Sequence, residues 1–163
     1  MFRNMRRWKQ ELPIEESYEI LKKESCGVLA LQGDGGYPYA VPLSYVFDGK
    51  KIYFHSAPMG HKIDAICRDS KASFCVVAED NVIEEKFTTA FISVIVFGKI
   101  HVIEEMAEKR MAIETLGRKY SPGRDKEMAK EIEGSFHRLC IISLTPEHIT
   151  GKEGIELTNM RKV

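Results

Sequence analysis

Three β-rich runs follow one another within residues 27–56, and their short links constrain this chain more than any other feature. "GVLALQ" (27–32) leads through "GDGG" into "YPYAVPLSYVF" (37–47), and that run leads through "DGKK" into "KIYFHS" (51–56). Glycine-rich links of this length join antiparallel neighbours, because a parallel return needs a crossover of about a dozen residues. Pro38 and Pro42 lack an N–H, which keeps the second run out of an uninterrupted central ladder.

The rest of the chain extends the pattern. "KASFCVVAE" (71–79) reads as a strand, "DNVIEEKFTT" (80–89) as a polar connection, and "AFISVIVFGKIHVI" (90–103) as a long β-branched strand bent at Gly98. "SFHRLCIISLTP" (135–146) reads as the last strand, before "EHITGKEG" and a polar tail. Helical spacing appears in "PIEESYEILKKES" (13–25), with Pro13 in the first turn and Ile14, Tyr18 and Leu21 on one face. It recurs in "GHKIDAICRDS" (60–70), with Ile63 and Ile66 inward, and in "KEMAKEIEG" (126–134). The best helix is "EEMAEKRMAIETLGRKY" (104–120), whose inward side would be Met106, Ala107 or Arg110, Met111, Ile113 and Leu116. Regular βαβ alternation is missing. The expectation is therefore a mainly β fold with helices, of the α+β class, built as a small barrel in one domain over 1–163.

Composition excludes several function classes. At 44% hydrophobic residues the chain can pack a core, and 24 basic residues against 24 acidic ones leave no net charge. A neutral chain has no broad electrostatic grip on nucleic acid or an anionic membrane. The basic opening "MFRNMRRWKQ" reads more readily as a solvated or docked arm than as a nucleic-acid arm. No apolar run is long enough to span a bilayer, and the basic start leads into the polar "KQELPIEESYE" and not into a signal core, so a soluble cytoplasmic protein is expected. Cys26, Cys67, Cys75 and Cys140 lack C-x-x-C spacing, and His55 and His61 straddle a loop, so no metal site is expected. Dinucleotide, P-loop, nucleophile-elbow and H-E-x-x-H motifs are all absent.

What stands out is "IYFHSAPMGHKIDAI" (52–66), a strand that stops at small and polar residues and hands over to two cations at a helix start. A helix N-terminus presents unpaired N–H groups and a partial positive charge. Ser56 can donate a hydroxyl, and Lys62, with His61 beside it, would add a point charge suited to an anion such as phosphate. The alternative is that both are solvated residues of an exposed helix, and spacing leaves the two readings level. His55 is open too, since a hydrogen-bonded core or interface histidine is the commoner case and a group near a reactive centre fits the same pattern. Alternation sets Tyr53 and His55 on one face of the strand and Ile52, Phe54 and Ser56 on the other.

"MRRWKQEL", "CGVLALQGDGGYPYAVPLSYVFDGKKIYFHSAPMGHKIDAI" and "FISVIVFGKIHVIEE" resemble the flavin-binding branch of the pyridoxamine 5'-phosphate oxidase-like superfamily, and within it the 5-nitroimidazole resistance group. The resemblance runs from about Met5 to "ITGK" near position 152. It implies a split β-barrel and a homodimer with FMN in clefts between the subunits. His55, Ser56, Gly60, His61 and Lys62 would hold the phosphate, with Phe54 in the same motif. Val41, Pro42, Leu43, Ser44 and Tyr45 would run along the isoalloxazine edge, and Ser93 would approach from the dimer-interface strand. The implied activity passes electrons from reduced flavin to a small acceptor such as a nitroaromatic, with His55 as the candidate catalytic side chain. His61 stands where the oxidases usually carry arginine, and "SLTPEHITGK" lacks their pyridoxal-phosphate grip, so pyridoxamine phosphate oxidase activity itself is not expected. The same fold could instead hold haem, a deazaflavin or FMN without turnover. His55, His101, His137 and His148 are haem-ligand candidates by residue type. A third reading is an interaction protein whose cleft is empty.

Overall fold

A computed structural model describes residues 1–161. Positions 162 and 163, which end the expected polar tail and 1–163 domain, lie outside the described residues. The basic arm enters as one turn of 3₁₀ helix (Trp8–Gln10) and a short strand, β1 (Glu11–Leu12), neither of which the pattern predicts. Helix α1 (Ile14–Lys23) follows with Pro13 at its N-cap, burying Ser17 and Leu21 while Ile14 stays exposed. Next come β2 (Cys26–Gln32), β3 (Pro38–Ser44), β4 (Val46–Phe47), β5 (Ile52–Ser56) and helix α2 (His61–Arg68). The long pair β6 (Lys71–Ile83) and β7 (Thr88–Val102) precedes α3 (Met106–Tyr120) and α4 (Asp125–Ser135). Strand β8 (Cys140–Glu153) and helix α5 (Ile155–Met160) complete the described chain.

All strands form one antiparallel sheet in the order β3-β2-β6-β7-β8-β5-β4, with β1 added to β8. Strands β3 and β4 stand at opposite ends of this order, yet only Tyr45 separates them in the chain. A sheet whose two ends are covalent neighbours must curl on itself, and the free edge of β3 is left beside β5. This is a barrel with one seam unpaired, a split barrel. Inside it, Tyr45, Phe54 and Phe74 are fully buried and meet edge to face, with ring centroids 4.8 and 5.1 Å apart. A second cluster of Val46, Tyr53, Ile103, Ala112, Leu116 and Ile141 fills the space under α3. Both faces of β5 are therefore buried up to Phe54, and alternation alone does not show this.

Several boundaries differ from expectation for physical reasons. Residues 80–89 are not a loop, because the β6–β7 ladder continues to Ile83 opposite Thr88 and turns at Glu84–Lys86, with Phe87 left-handed (φ 50°). The last strand does not stop at Pro146. Pro146 pairs with Gly98 at a bulge, where a missing N–H is tolerated, and β8 continues through "EHITGKE", whereas "SFHR" is helical. Gly98 is the expected bend, and a Cβ there would lie 2.1 Å from the Thr145 carbonyl oxygen. Helix α3 buries Ala112 and Leu116 and leaves Met106 and Met111 exposed. Its inward face also carries polar anchors that an apolar count overlooks. Glu108 Oε1 meets Lys51 Nζ at 2.6 Å and the Tyr53 hydroxyl at 3.3 Å, and Tyr120 and Lys119 close the far end.

The Tyr120 hydroxyl holds the seam. It accepts from the Tyr45 N–H (2.8 Å) and lies within donating distance of the Tyr45 carbonyl (2.7 Å) and the Ser25 carbonyl (2.5 Å). Lys119 Nζ donates to the Glu24 carbonyl and sits 4.2 Å from the Tyr45 ring centroid. Tyr120→Phe leaves the Tyr45 N–H without this acceptor. It should lower unfolding stability by about 1–3 kcal/mol in chemical denaturation.

Candidate functional site

The seam between β3 and β5 ends in a cleft of about 300 Å³ lined by Tyr39, His55, Ser56, Met59, His61 and Lys62, with Ala57 and Gly60 between them. Strand β5 delivers His55 and Ser56 opposite Ile141 and Cys140 of β8. Beyond Tyr53 its other edge has no β4 partner, since β4 pairs only with Ile52 and Tyr53. Gly60 then adopts φ 117°, a left-handed value that only glycine takes without strain, and starts α2 with no side-chain cap. Among the described residues no side chain caps the first N–H groups of α2, and Gly60, His61 and Lys62, which carry this helix start, line the cleft.

Lys62 is half-buried beside these groups and makes no ion pair among the described residues. Burial pushes its pKa down from 10.5, only partly offset by the Cys140 thiol nearby. That thiol is pushed up by its own burial, with Lys109 and Lys62 pulling it the other way. His61 is held differently. Its ring stacks on Tyr39, with centroids 4.1 Å apart and planes at 22°, and Nε2 lies 3.6 Å from Asp34 Oδ2. Arg68 donates to Asp34 at 2.6 Å, and this bond, then the guanidinium charge, keeps that carboxyl below the ordinary range. The β2–β3 turn is thus tied to α2 across the mouth of the cleft.

The β3 edge can be read from its register. The Gly33 N–H donates to the Tyr37 carbonyl (2.8 Å), and bonded pairs alternate along an antiparallel ladder. Tyr39, Val41 and Leu43 therefore direct their backbone groups to β2, while Pro38, Ala40, Pro42 and Ser44 direct theirs outward. Both prolines fall where the ladder needs no donor. The free edge offers the N–H groups of Ala40 and Ser44 and the carbonyls of all four residues.

The structure brings His55, Ser56, Gly60, His61 and Lys62 into one cleft and sets Pro42 and Ser44 on the adjoining edge. Others of the expected set fall elsewhere. Val41 and Leu43 pack their side chains on the core and pair their backbones with β2. Tyr45 is fully buried and its backbone is taken by Tyr120, while Phe54 is fully buried against Phe74 with its backbone opposite Ile142. Ser93 lies opposite Lys152, at the far end of β8 from His55, on the outer sheet face that also carries Val77. Tyr39 and Asp34 belong to the site and were missed. The inward parity that Tyr39 shares with Val41 and Leu43 was a usable signal, but nothing local linked Asp34 to α2.

Among the haem-ligand candidates, His101 Nε2 is 3.1 Å from Ser143 Oγ, His148 is stacked under Phe2, and His137 sits in the turn after α4. His55 alone of the four lines this cleft. Among the described residues no group of His, Cys, Asp and Glu is gathered as for a metal, all four cysteines are free, and no helix is long and apolar enough to cross a membrane. A larger hollow of about 420 Å³ lies between α3 and α4, where Ile113, Gly117, Met128 and Ile132 meet Arg124 and Glu127. Its one cation, Arg124, is paired with Glu127 (3.7 Å), and Glu131 adds a second carboxylate, so it lacks the unpaired half-buried cation that marks the smaller cleft.

A curved antiparallel sheet left open at one seam, with a cleft at the seam's end, defines the split-barrel class. The chain belongs to the pyridoxamine 5'-phosphate oxidase family, whose family model matches residues 13–153. Solved structures share the fold. A candidate 5-nitroimidazole antibiotic resistance protein from Bacteroides thetaiotaomicron is 20% identical with a TM-score of 0.72, over 88% of this chain and 86% of that one. An FAD and heme binding protein from Mycobacterium smegmatis is 22% identical with a TM-score of 0.77, over 90% and 73%. An FAD-binding protein from Mesorhizobium loti is 21% identical with a TM-score of 0.62, over 89% and 97%. No functionally curated protein matches the chain significantly in sequence.

The depressed Lys62 pKa has a testable sign. The penalty for its charge is absent above 10.5, grows as pH falls from there and is complete below the lowered folded value, so stability from this group rises with pH across that window. Lys62→Met should flatten this alkaline slope in thermal unfolding. At neutral pH, inorganic phosphate should raise the unfolding midpoint of the wild type and leave that of Lys62→Met unchanged.

Proposed function

We propose that this chain is an FMN-binding oxidoreductase that passes electrons from reduced flavin to a small acceptor, with nitroaromatics in the acceptor class. The observation that carries this reading is Lys62, a half-buried cation without an anionic partner among the described residues, set at an uncapped helix start beside an open strand edge. A phosphate supplies the missing charge and accepts the free N–H groups. The β3 edge, with alternating donors and acceptors at Ala40, Pro42 and Ser44, suits the polar rim of a flat heterocycle. The flavin-binding names among proteins of the same fold support a flavin, and the cleft's phosphate-sized anion site favours FMN.

Bound flavin supplies the hydride and electron chemistry; the protein binds, orients and tunes it. Lys62 and the α2 N–H groups anchor the phosphate, with Ser56 as a hydroxyl donor. His55 is exposed on the cleft wall and can hold or move a proton at the acceptor. Asp34 and Tyr39 fix the ring of His61 so that it flanks the phosphate without swinging into it.

The homodimer is part of the proposal. The outer face of β2, β6 and β7 carries Val28, Cys75 and Ile95 in one cross-strand row, flanked by Val77 and Phe97. Val77 is 58% exposed, an unusual setting for a contiguous apolar face. A second copy covers this face, and Ser93, which shares it, is then placed to reach the partner's cleft.

Two outcomes are expected. The purified protein takes up FMN with a visible flavin spectrum, and Lys62→Met weakens uptake by roughly 10- to 100-fold, the range of a lost charge-assisted contact. A Soret band in place of flavin bands, or no uptake, defeats the reading. Val77→Asp should convert dimer to monomer in sedimentation analysis while leaving the circular dichroism spectrum intact.

A further inference from the structure

The outer face of β6 and β7 is ordered along the strands in a way that the flavin reading does not use. At its cleft end Lys71 stands directly opposite Lys99, and like charges so placed repel. Its middle is the apolar row of Cys75 and Ile95, with Val77 beside it. Asp80 and Val82 follow, and the turn carries Glu84 and Glu85. Neither lysine takes part in an ion pair among the described residues, nor do Asp80, Glu84 and Glu85. A face that is basic at one end, apolar in the middle and acidic at the other complements a second copy of itself turned end for end. A two-fold pair needs a surface of that kind, since one patch must meet itself.

The turn is also built as a contact. Phe87 is 97% exposed, and among the described residues it is the one non-glycine with a left-handed backbone, a cost that bulky side chains rarely bear. Lys86 Nζ lies 3.7 Å from Glu156 Oε2, which ties the turn to α5 and holds it as a fixed projection. End-for-end pairing brings this turn to the other copy's cleft. Ala30 pairs with Ser73, so the Asp34 turn is level with Asp69, and at the far end Ile83 pairs with Thr88. Val76 is midway, roughly seven residues or about 23 Å from the Asp34 turn and from the β6–β7 turn. Two exposed apolar side chains stand at the cleft mouth, Tyr37 (77%) in the Asp34 turn and Met59 (81%) on the cleft wall.

We propose that the β6–β7 hairpin of each copy closes the other copy's cleft, with Phe87 seated on Tyr37 and Met59 at its mouth. This rests on the two-fold pair proposed above and not on what the cleft holds. Lys71 and Lys99 then fall among the acidic residues of the other copy's hairpin, which relieves their repulsion. Because the cleft is closed only in the pair, an anion at Lys62 and the second copy strengthen each other's binding by the same factor.

Full-length protein carrying Phe87→p-benzoylphenylalanine, mixed with isotope-labelled wild type and irradiated, should cross-link to residues 34–39 or 55–62 of the other copy. Phe87→Gly suits the left-handed backbone, so it should keep its fold while weakening the dimer by roughly tenfold in sedimentation. Lys71→Glu should weaken the dimer as well, and adding Glu84→Lys should restore it. Inorganic phosphate should tighten the wild-type dimer and leave that of Phe87→Gly unchanged. The proposal is overturned if cross-links are absent, stay within one copy or join the two hairpins to each other. It is also overturned if Glu84→Lys fails to restore the Lys71→Glu dimer, or if phosphate does not tighten the wild-type dimer. Cross-links at the cleft in a protein that takes up no FMN support it and defeat the flavin reading alone.

Discussion

One hydroxyl group sets the geometry of the seam on which the site depends. The strand order places β3 and β4 at opposite ends of the sheet, although Tyr45 alone joins them in the chain. At such a corner the backbone leaves one ladder before it enters the next, and its polar groups lose strand partners. Tyr120, reaching in from the end of α3, accepts from the Tyr45 N–H and has one proton to donate to either the Tyr45 or the Ser25 carbonyl. The corner's backbone N–H is then matched where no strand partner reaches it. Because the corner is fixed, the edge of β3 stands open at a set position beside β5.

That open edge explains why the site lies where it does. A closed barrel would have paired β3 with β5 and left no slot. An edge strand normally invites pairing with another chain, and here Pro38 and Pro42 remove two of the outward donors that such pairing needs. What remains is a sparse row of polar groups, too interrupted for a strand and well suited to a flat polar molecule. The cations at the end of the slot differ in how they are held. His61 is positioned by Tyr39 and Asp34, whereas Lys62 is half-desolvated and unpaired among the described residues. One charge is organised as structure, and the other is neutralised by nothing among the described residues.

Much of this was legible from local pattern. The hairpins, the bend at Gly98 and the grouping of His55, Ser56, Gly60, His61 and Lys62 follow from turn chemistry, β-branching and the strand-to-helix handover. Other features were hidden because they depend on partners remote in sequence. Pro146 looked like a strand end until Gly98 across the ladder supplied a bulge to hold it. Met106 and Met111 looked like the buried face of α3 until Glu108, Lys119 and Tyr120 turned the helix toward polar anchors. Tyr45 and Phe54 looked like cofactor contacts because they sit inside the motif. The curl of the sheet points them into the core instead.

Local pattern was enough for the antiparallel β class, the family, and the residues that share the turn at the start of α2, since each rests on neighbours within a few positions. Tertiary structure alone decided which edge stays open, which backbone groups it offers, and that Asp34 and Tyr39 join His61. It also decided that Lys62 is half-buried among groups that do not neutralise it. Burial and pairing are properties of the closed sheet, where residues distant in the chain exclude water from one another, and a linear pattern carries no measure of that exclusion.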